Sequence, residues 1–340
     1  MKIPRILFVY NSVPLPETRL KAYHALKQLS SDITVLFPYR ENYKRNILDK
    51  IFSRLKIPRD PHKLNARILL ECLKFKPDMV FIVRGVMIWP KTLKKIHAMG
   101  IKTVSWSNDD MYAKHNRSIW YTLGVKYYDL VVTQKSYNCN ADELPSLGAN
   151  VLFQDKAFEP SVNYPIKDCH DFDFSHDVVF VGTKENDRYN KIRYLAENDI
   201  TVNVYGWGHV DDNSKHENLI FHDKHLYGES FSAALGCSKI ALNFLRKLNR
   251  DLQTSRSIEI PASGGFMLAE RTDEHLRLFK EGVEAEYFES KEELLSKVKY
   301  YLNHDSERIA IAEAGYRKCY DANYTFENRM SEIIEKLFDE

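Results

Sequence analysis

The sequence predicts an α/β protein built from two doubly wound domains, and three observations carry that expectation. Short β-branched runs alternate with longer helical stretches across all 340 residues. The strand-like runs are apolar nearly throughout, as in RILFVY (5–10) and DVVFVG (177–182), which suits parallel sheets covered on both faces. The alternation occurs twice, on either side of DKAFEPSVNYPIKDCHDFDFSH (155–176), a Pro-, Asp- and aromatic-rich stretch without periodicity.

In the first half, the expected strands are RILFVY (5–10), DITVLF (32–37), DMVFIV (78–83), KTVSW (102–106) and LVVT (130–133). Helical patterns separate them at 17–29, 62–75 and 90–100. In the second half the strands are DVVFVG (177–182), TVNVYG (201–206), NLIFH (218–222), KIALNF (239–244), GFMLA (265–269) and EAEYF (284–288), again with helices between. From about residue 290 the chain is almost wholly helical. The expected organisation is an N-terminal domain over 1–160 and a C-terminal domain over 161–325. A last helix, 326–340, packs back toward the N-terminal domain.

Hydrophobic residues at 44% and charged residues at 28% are the balance of an ordinary globular protein. A net charge of +2 is too small to argue for nucleic acid. Five scattered cysteines without a CxxC pair argue against a disulfide framework or a zinc site, and for a reducing compartment. The N-terminal apolar run is short and reads as a first strand rather than a signal peptide. No stretch reaches the roughly 20 apolar residues of a membrane span. The expected location is the cytoplasm. The basic stretch 39–63, interleaved with Ile, Leu and Phe, would suit the anionic inner face of a membrane; its other reading is a solvated charged face.

In open α/β sheets ligands bind beyond the carboxyl ends of strands, so residues just after strands are the candidates. After KIALNF, the run SRSIEIPASGG predicts a short helix capped by Thr254 or Ser255. Its free N–H groups, with Arg256 and Ser257, suit a phosphate, and Glu259 suits a ribose one turn on. The competing reading is a local Arg256–Glu259 ion pair. Gly264 and Gly265 would let the chain turn sharply into the next strand. Gly182 and Thr183 end a strand where backbone can approach a diphosphate, with Arg188 on the following helix; the alternative is a plain turn. Tyr205, Gly206 and Trp207 would pack against a nucleobase, unless they are core residues. Asn243 supports the site from the end of KIALNF.

In the first half, SWSNDDMYAKH (105–115) places Asp109 and Asp110 after a strand. Adjacent carboxylates repel, which suits a general base, with His115 assisting. The competing reading is capping of a helix starting at Met111 by Ser107, Asn108 or Asp109. Arg84, also after a strand, is a candidate for holding an acceptor anion or the donor phosphate, and Asn11, at the end of the first strand, for acceptor binding. The Asp211–Asp212 pair is too loop-like to support a metal, and no metal-ligand constellation is visible.

These residues carry a resemblance. SRSIEIPASGGFMLAE (255–270), followed by LRLFKEGVEAEYFESKEELLSKVKYYLNH, is similar to the C-terminal domain of GT-B glycosyltransferases. The match is strongest to the group resembling the spore maturation protein CgeB, among the glycosyl transferases group 1 families. DVVFVGTKENDRYNKIRYLAE (177–197), VYGWG (204–208), KIALNF and AIAEAGYRKCYDANYTFENRMSEII fit its landmarks in order, so the resemblance spans roughly 177–338. It implies a GT-B fold, two Rossmann-like domains facing a central cleft. It implies a nucleotide-sugar donor on the C-terminal domain and a glycan or lipid-linked acceptor on the other. It also implies catalysis without metal or other cofactor, a ribose contact at Glu259, and a role in bacterial surface polysaccharide assembly. Many retaining members carry a Glu seven residues plus one before that position; here it is Asp251. A nucleotide-sugar epimerase and a catalytically inactive nucleotide- or glycan-binding module are the alternatives.

Overall fold

The computed structural model describes residues 3–10, 21–39, 44, 46–169, 172, 174–208 and 216–339. The chain forms two compact units, one of Met1–Asp155 with Phe326–Glu340 and one of Lys156–Thr325.

The first unit is built on six parallel strands: β1 Arg5–Val9, β2 Asp32–Leu36, β3 Met79–Val83, β4 Lys102–Ser107, β5 Leu130–Thr133 and β6 Val151–Phe153. Their order is β2-β1-β3-β4-β5-β6, so the winding reverses between β1 and β3. Alternation along β1 sends Leu7 and Val9 to one face and Ile6 and Phe8 to the other. The first face packs on α3 (Leu64–Phe75) and α4 (Pro90–Ala98) through Ile68, Leu93 and Ile96. The second packs on α1 (Lys21–Leu29) and on the last helix, α12 (Phe326–Phe338), through Leu26, Met330, Ile333 and Ile334. Two short helices complete this unit, α2 (Ile47–Arg54) and α5 (Ile119–Gly124). The β6 strand and α5 are additions to the sequence reading, each too short for periodicity to register.

The second unit repeats the plan with β7 Val178–Val181, β8 Val202–Tyr205, β9 Leu219–His222, β10 Ile240–Asn243, β11 Met267–Glu270 and β12 Glu286–Phe288. All pairings are parallel, in the order β12-β11-β10-β7-β8-β9. This is the Rossmann order, and its switch point lies between β7 and β10. On one face Phe180, Val204 and Leu242 meet Ile192 and Leu195 of α6 (Asn186–Ala196) and Leu294 and Val298 of α10 (Lys291–Asn303). On the other, Val179, Ala241 and Met267 meet α7 (Gly228–Gly236), α8 (Arg256–Ala262) and Cys319 of α11 (Asp305–Asp321). The small helix α9 (Asp273–Leu278) follows β11.

Two expectations are corrected here. Cys169 and Cys237 form a disulfide, with Cα atoms 5.6 Å apart across a separation of 68 residues. Cysteine spacing could not reveal it, because only the fold brings the chain before β7 to the end of α7. No helix starts at Met111: residues 108–117 form turns, and the next helix is α5, capped by Ser118 Oγ accepting from the Tyr121 N–H at 3.0 Å.

Candidate donor site in the second unit

The β7–β10 switch point carries two arginines. Arg188, near the start of α6, reaches back over the β7 end. Its Nη1 donates to the Thr183 carbonyl and to Thr183 Oγ1, each at 3.1 Å, and its Nη2 donates to the Phe244 carbonyl beyond β10 at 3.3 Å. Arg188 is 6% exposed, and its Nε is buried without a hydrogen-bond partner. Among the described residues no carboxylate stands in ion-pair contact with it. Burial pulls its pKa below the ordinary arginine value, countered by the more distant charges of Glu185, Asp251 and Glu270. A guanidinium held in the switch point without a contacting counter-ion is costly unless something anionic joins it.

Arg256 opens α8 on the other side of β7. Its Nε donates to the Val181 carbonyl at 3.0 Å, its plane lies 4.3 Å from the Phe231 ring centroid, and its Nη1 pairs with Glu259. The local ion pair considered as an alternative is therefore present, and Glu259 is held by it in a nearly buried position. The Gly182 carbonyl lies beneath Gly206, whose φ is +90° and where a Cβ would come within 2.9 Å of that oxygen. The ends of β7 and β8 thus present close-packed backbone beside the arginines, and Thr183 stays exposed.

Several residues assigned to donor contact are placed elsewhere. Ser257 and Asn243 are buried in one hydrogen-bond network. Asn243 Nδ2 donates to Ser257 Oγ at 3.1 Å, the Thr254 N–H donates to the same oxygen at 2.9 Å, and Thr254 Oγ1 donates to Asn243 Oδ1 at 2.9 Å. His275 completes the network: Nδ1 is 2.6 Å from the Glu270 carbonyl, which can only accept, so Nδ1 carries the proton. Nε2 then accepts from Ser257 Oγ at 2.7 Å. Burial depresses the His275 pKa to about 4, matching this neutral form. Ser257 and Asn243 therefore position α8 rather than touch a ligand. Trp207 packs in the core against Phe180 and Phe221. Gly264 and Gly265 serve the turn itself: a Cβ on Gly265 would come within 2.3 Å of the Leu235 carbonyl of α7. At the expected N-cap, Ser255 makes no capping bond.

Two cavities lie in this unit. One, of about 460 Å³, is lined by Phe172, Phe174, Tyr205, His222, His225 and Ser230 among others. Tyr205 is buried in its wall, ring-stacked with His222 at 4.1 Å. Its lining residue Tyr205 pairs with Val181, whose carbonyl accepts from Arg256, and its lining residue Ser230 precedes Phe231, the ring beneath that guanidinium. The other, of about 450 Å³, has a mixed lining that includes Lys191, Asp251, Glu270, Arg271, Leu276 and Phe288. Its lining residue Leu245 follows Phe244, whose carbonyl accepts from Arg188. Phe231, His275, Phe172 and His222 escaped the sequence reading; only the His closing NLIFH stood at a strand end where it could have been noticed.

In the first unit Asp109 and Asp110 do not act as a repelling pair. Asp110 is 0% exposed; its Oδ1 accepts from the N–H groups of Tyr112 and Ala113 and from Asn138 Nδ2 at 3.0–3.2 Å. It is a turn cap, and burial removes it from the bases. Asp109 Oδ2 instead lies 3.3 Å from Arg84 Nε, both side chains partly exposed. Arg84 adopts φ +63° at the β3 end, and its Nη2 donates to the Asn116 carbonyl. His115 is exposed, its carbonyl accepting from Lys56 Nζ. Asn11 and Asp211–Asp212 lie outside the described residues. Among the described residues no group of three or more His, Cys, Asp or Glu is placed to hold a metal ion.

Residues 184–335 match the family described as glycosyl transferase-like. That match covers most of the second unit and runs on into α12. Both six-stranded units together have the GT-B fold of several solved structures. The chain superposes on HepE of Anabaena in complex with UDP-glucose with a TM-score of 0.67 and 11% identity, covering 98% of this chain and 100% of that one. Sucrose-phosphate synthase of Thermosynechococcus elongatus gives a TM-score of 0.67 at 8% identity, covering 98% and 99%. A UDP-N-acetylglucosamine 2-epimerase assigned in Listeria monocytogenes gives 0.54 at 12%, covering 99% and 97%. No functionally curated protein matches the sequence. Likenesses at these identities establish the fold alone. Among the described residues no helix is long and apolar enough to cross a membrane.

Proposed function

We propose that this glycosyl transferase-like chain moves a hexosyl or related sugar from a nucleoside diphosphate donor to a glycan or lipid-linked acceptor, in bacterial surface polysaccharide assembly. The observation that carries the donor is Arg188, a buried guanidinium at the switch point without a contacting carboxylate among the described residues. A diphosphate supplies the missing charge, shared with Arg256. Fixed cations at the departing diphosphate stabilise the charge that develops there, without a metal or other cofactor. The base occupies the aromatic cavity, and the sugar the cavity of mixed lining. Glu259, one turn beyond Arg256 on α8, accepts from ribose hydroxyls. Asp109 takes the proton of the attacking acceptor hydroxyl, with Arg84 orienting its carboxylate. The acceptor oxygen bonds to the anomeric carbon as the bond to the diphosphate breaks and its electron pair leaves with the diphosphate.

The test is a thermal-shift panel of nucleoside diphosphates and nucleotide sugars on the wild type and Glu259→Ala, followed by product analysis. A ligand at 100 times its dissociation constant should stabilise by about 2.7 kcal/mol. The reading expects a shift with one base that weakens in the variant, and transfer only with acceptor present. Donor isomerised without acceptor would make the chain an epimerase. Donor bound but never consumed would make it a binding module. No shift with any nucleotide would remove the donor site.

A further inference from the structure

Helix α2 turns the usual arrangement inside out. Ile47, Leu48, Ile51, Phe52 and the capping Leu55 recur at helical spacing and share one face. That face points to solvent: Ile47 is 73% exposed and Leu55 61%, with Phe52 the least exposed at 37%. The buried residue of the helix is Asp49, at 5%. An isolated exposed leucine needs no explanation, but five apolar side chains on one outward helical face do.

The charges around this face are sorted by sign. Lys44, Lys50, Arg54, Lys56, Arg59 and Lys63 are exposed. Among the described residues of this stretch, the two acids are held by the fold. Asp49 closes the capping box with Asn46 and lies 3.7 Å from Arg59. Asp60 accepts from the Leu64 N–H at 2.6 Å and the Asn65 N–H at 3.0 Å, at the start of α3. The Arg59 guanidinium lies 5.9 Å from the Phe52 ring centroid, so cation and apolar surface alternate closely. Exposed Ile119 and Leu123 of α5 are tied to the same segment, through the Ile119 N–H to the Lys56 carbonyl at 2.8 Å and Trp120 Nε1 to the Pro58 carbonyl at 3.0 Å.

From this geometry we infer that α2, with the adjoining start of α5, is a docking surface for an anionic lipid bilayer. Protein interfaces tend to exclude lysine from their apolar centre. A bilayer surface accepts both parts: apolar side chains enter the boundary of the acyl region while cations stay among anionic headgroups. The inference is independent of glycosyl transfer.

The test is co-sedimentation of the full chain with vesicles of phosphatidylcholine alone and of phosphatidylcholine with about one third phosphatidylglycerol. The wild type should sediment with the anionic vesicles, less so as salt rises, and stay in solution with the neutral ones. Lys50→Gln/Arg54→Gln should weaken partition by about 30-fold, at roughly 1 kcal/mol per cation. Ile51→Ser/Phe52→Ser should weaken it by about 100-fold or more, since each lost apolar side chain counts for about 10-fold or more. These side chains are exposed, so both variants should keep the wild-type melting temperature. Equal binding to neutral vesicles, no binding to either, or α2 variants that sediment like the wild type would each overturn the inference. So would a dimer in solution that the Phe52 variant dissociates while vesicles capture nothing, since that outcome assigns the face to a second copy of the chain.

Discussion

The two units share six parallel strands and a reversal of winding, yet their switch points differ in kind. In the first unit the β1–β3 crevice is lined by Val9, Ile82, Val83, Leu64, Met87 and Ile88, around a space of about 20 Å³, room for little more than one water. In the second the β7–β10 crevice carries Arg188, Arg256 and Thr183, and the unit holds two cavities of more than 400 Å³. Among the described residues the first crevice carries the Arg84–Asp109 pair beside a small apolar space, and the second carries two arginines and larger cavities. A fold supplies places, and side chains decide which of them does chemistry.

The comparison breaks first at Asp109. If the first unit contributes a proton acceptor and no donor contact, Asp109→Asn should lower kcat by about 10²–10⁴-fold and leave nucleotide affinity unchanged. A parallel loss of nucleotide affinity would erase the division of labour. The next largest effect concerns the second unit alone. The Cys169–Cys237 bond closes a long loop there, worth up to about 4 kcal/mol by chain entropy. Cys169→Ser, or a reductant, should lower the urea midpoint of that unit's transition and spare the other; coincident shifts of both would contradict this.

The His275 network gives the second unit a pH signature. Its native pKa of about 4 lies below the unfolded value near 6.5. The unfolded chain therefore binds a proton that the native chain refuses between those values. Stability from this group is complete above pH 6.5 and falls as pH drops, by about 3 kcal/mol at pH 4. Urea unfolding across that range should show a slope that His275→Gln reduces; an unchanged slope would remove the group from the ledger of acid sensitivity.

The strands were legible because each is an apolar run, and both sheets follow from that. β6 was not, since three half-buried residues carry no pattern. At the site, the positions of Thr183, Arg188, Arg256 and Glu259 were legible from strand ends and helical spacing. Which way each side chain points was not. Asp109 and Asp110 are neighbours in sequence, yet one meets Arg84 and the other caps a buried turn. Ser257 sits beside Arg256 but turns inward to His275. The disulfide and the aromatic cavity depend on segments far apart in the chain, which spacing cannot join.

The most direct measurement is a calorimetric titration of nucleoside diphosphates into the wild type and Arg188→Met, with the melting temperature of each. Charge-assisted contacts to a diphosphate account for about 100-fold of affinity. Removing an uncompensated buried charge should change stability by less than about 1 kcal/mol. A nucleotide that binds the wild type and binds the variant about 100-fold more weakly, at equal stability, is the predicted result. Equal affinity in both proteins, or a variant that simply unfolds, would mean that Arg188 ties two strand ends together and holds no donor.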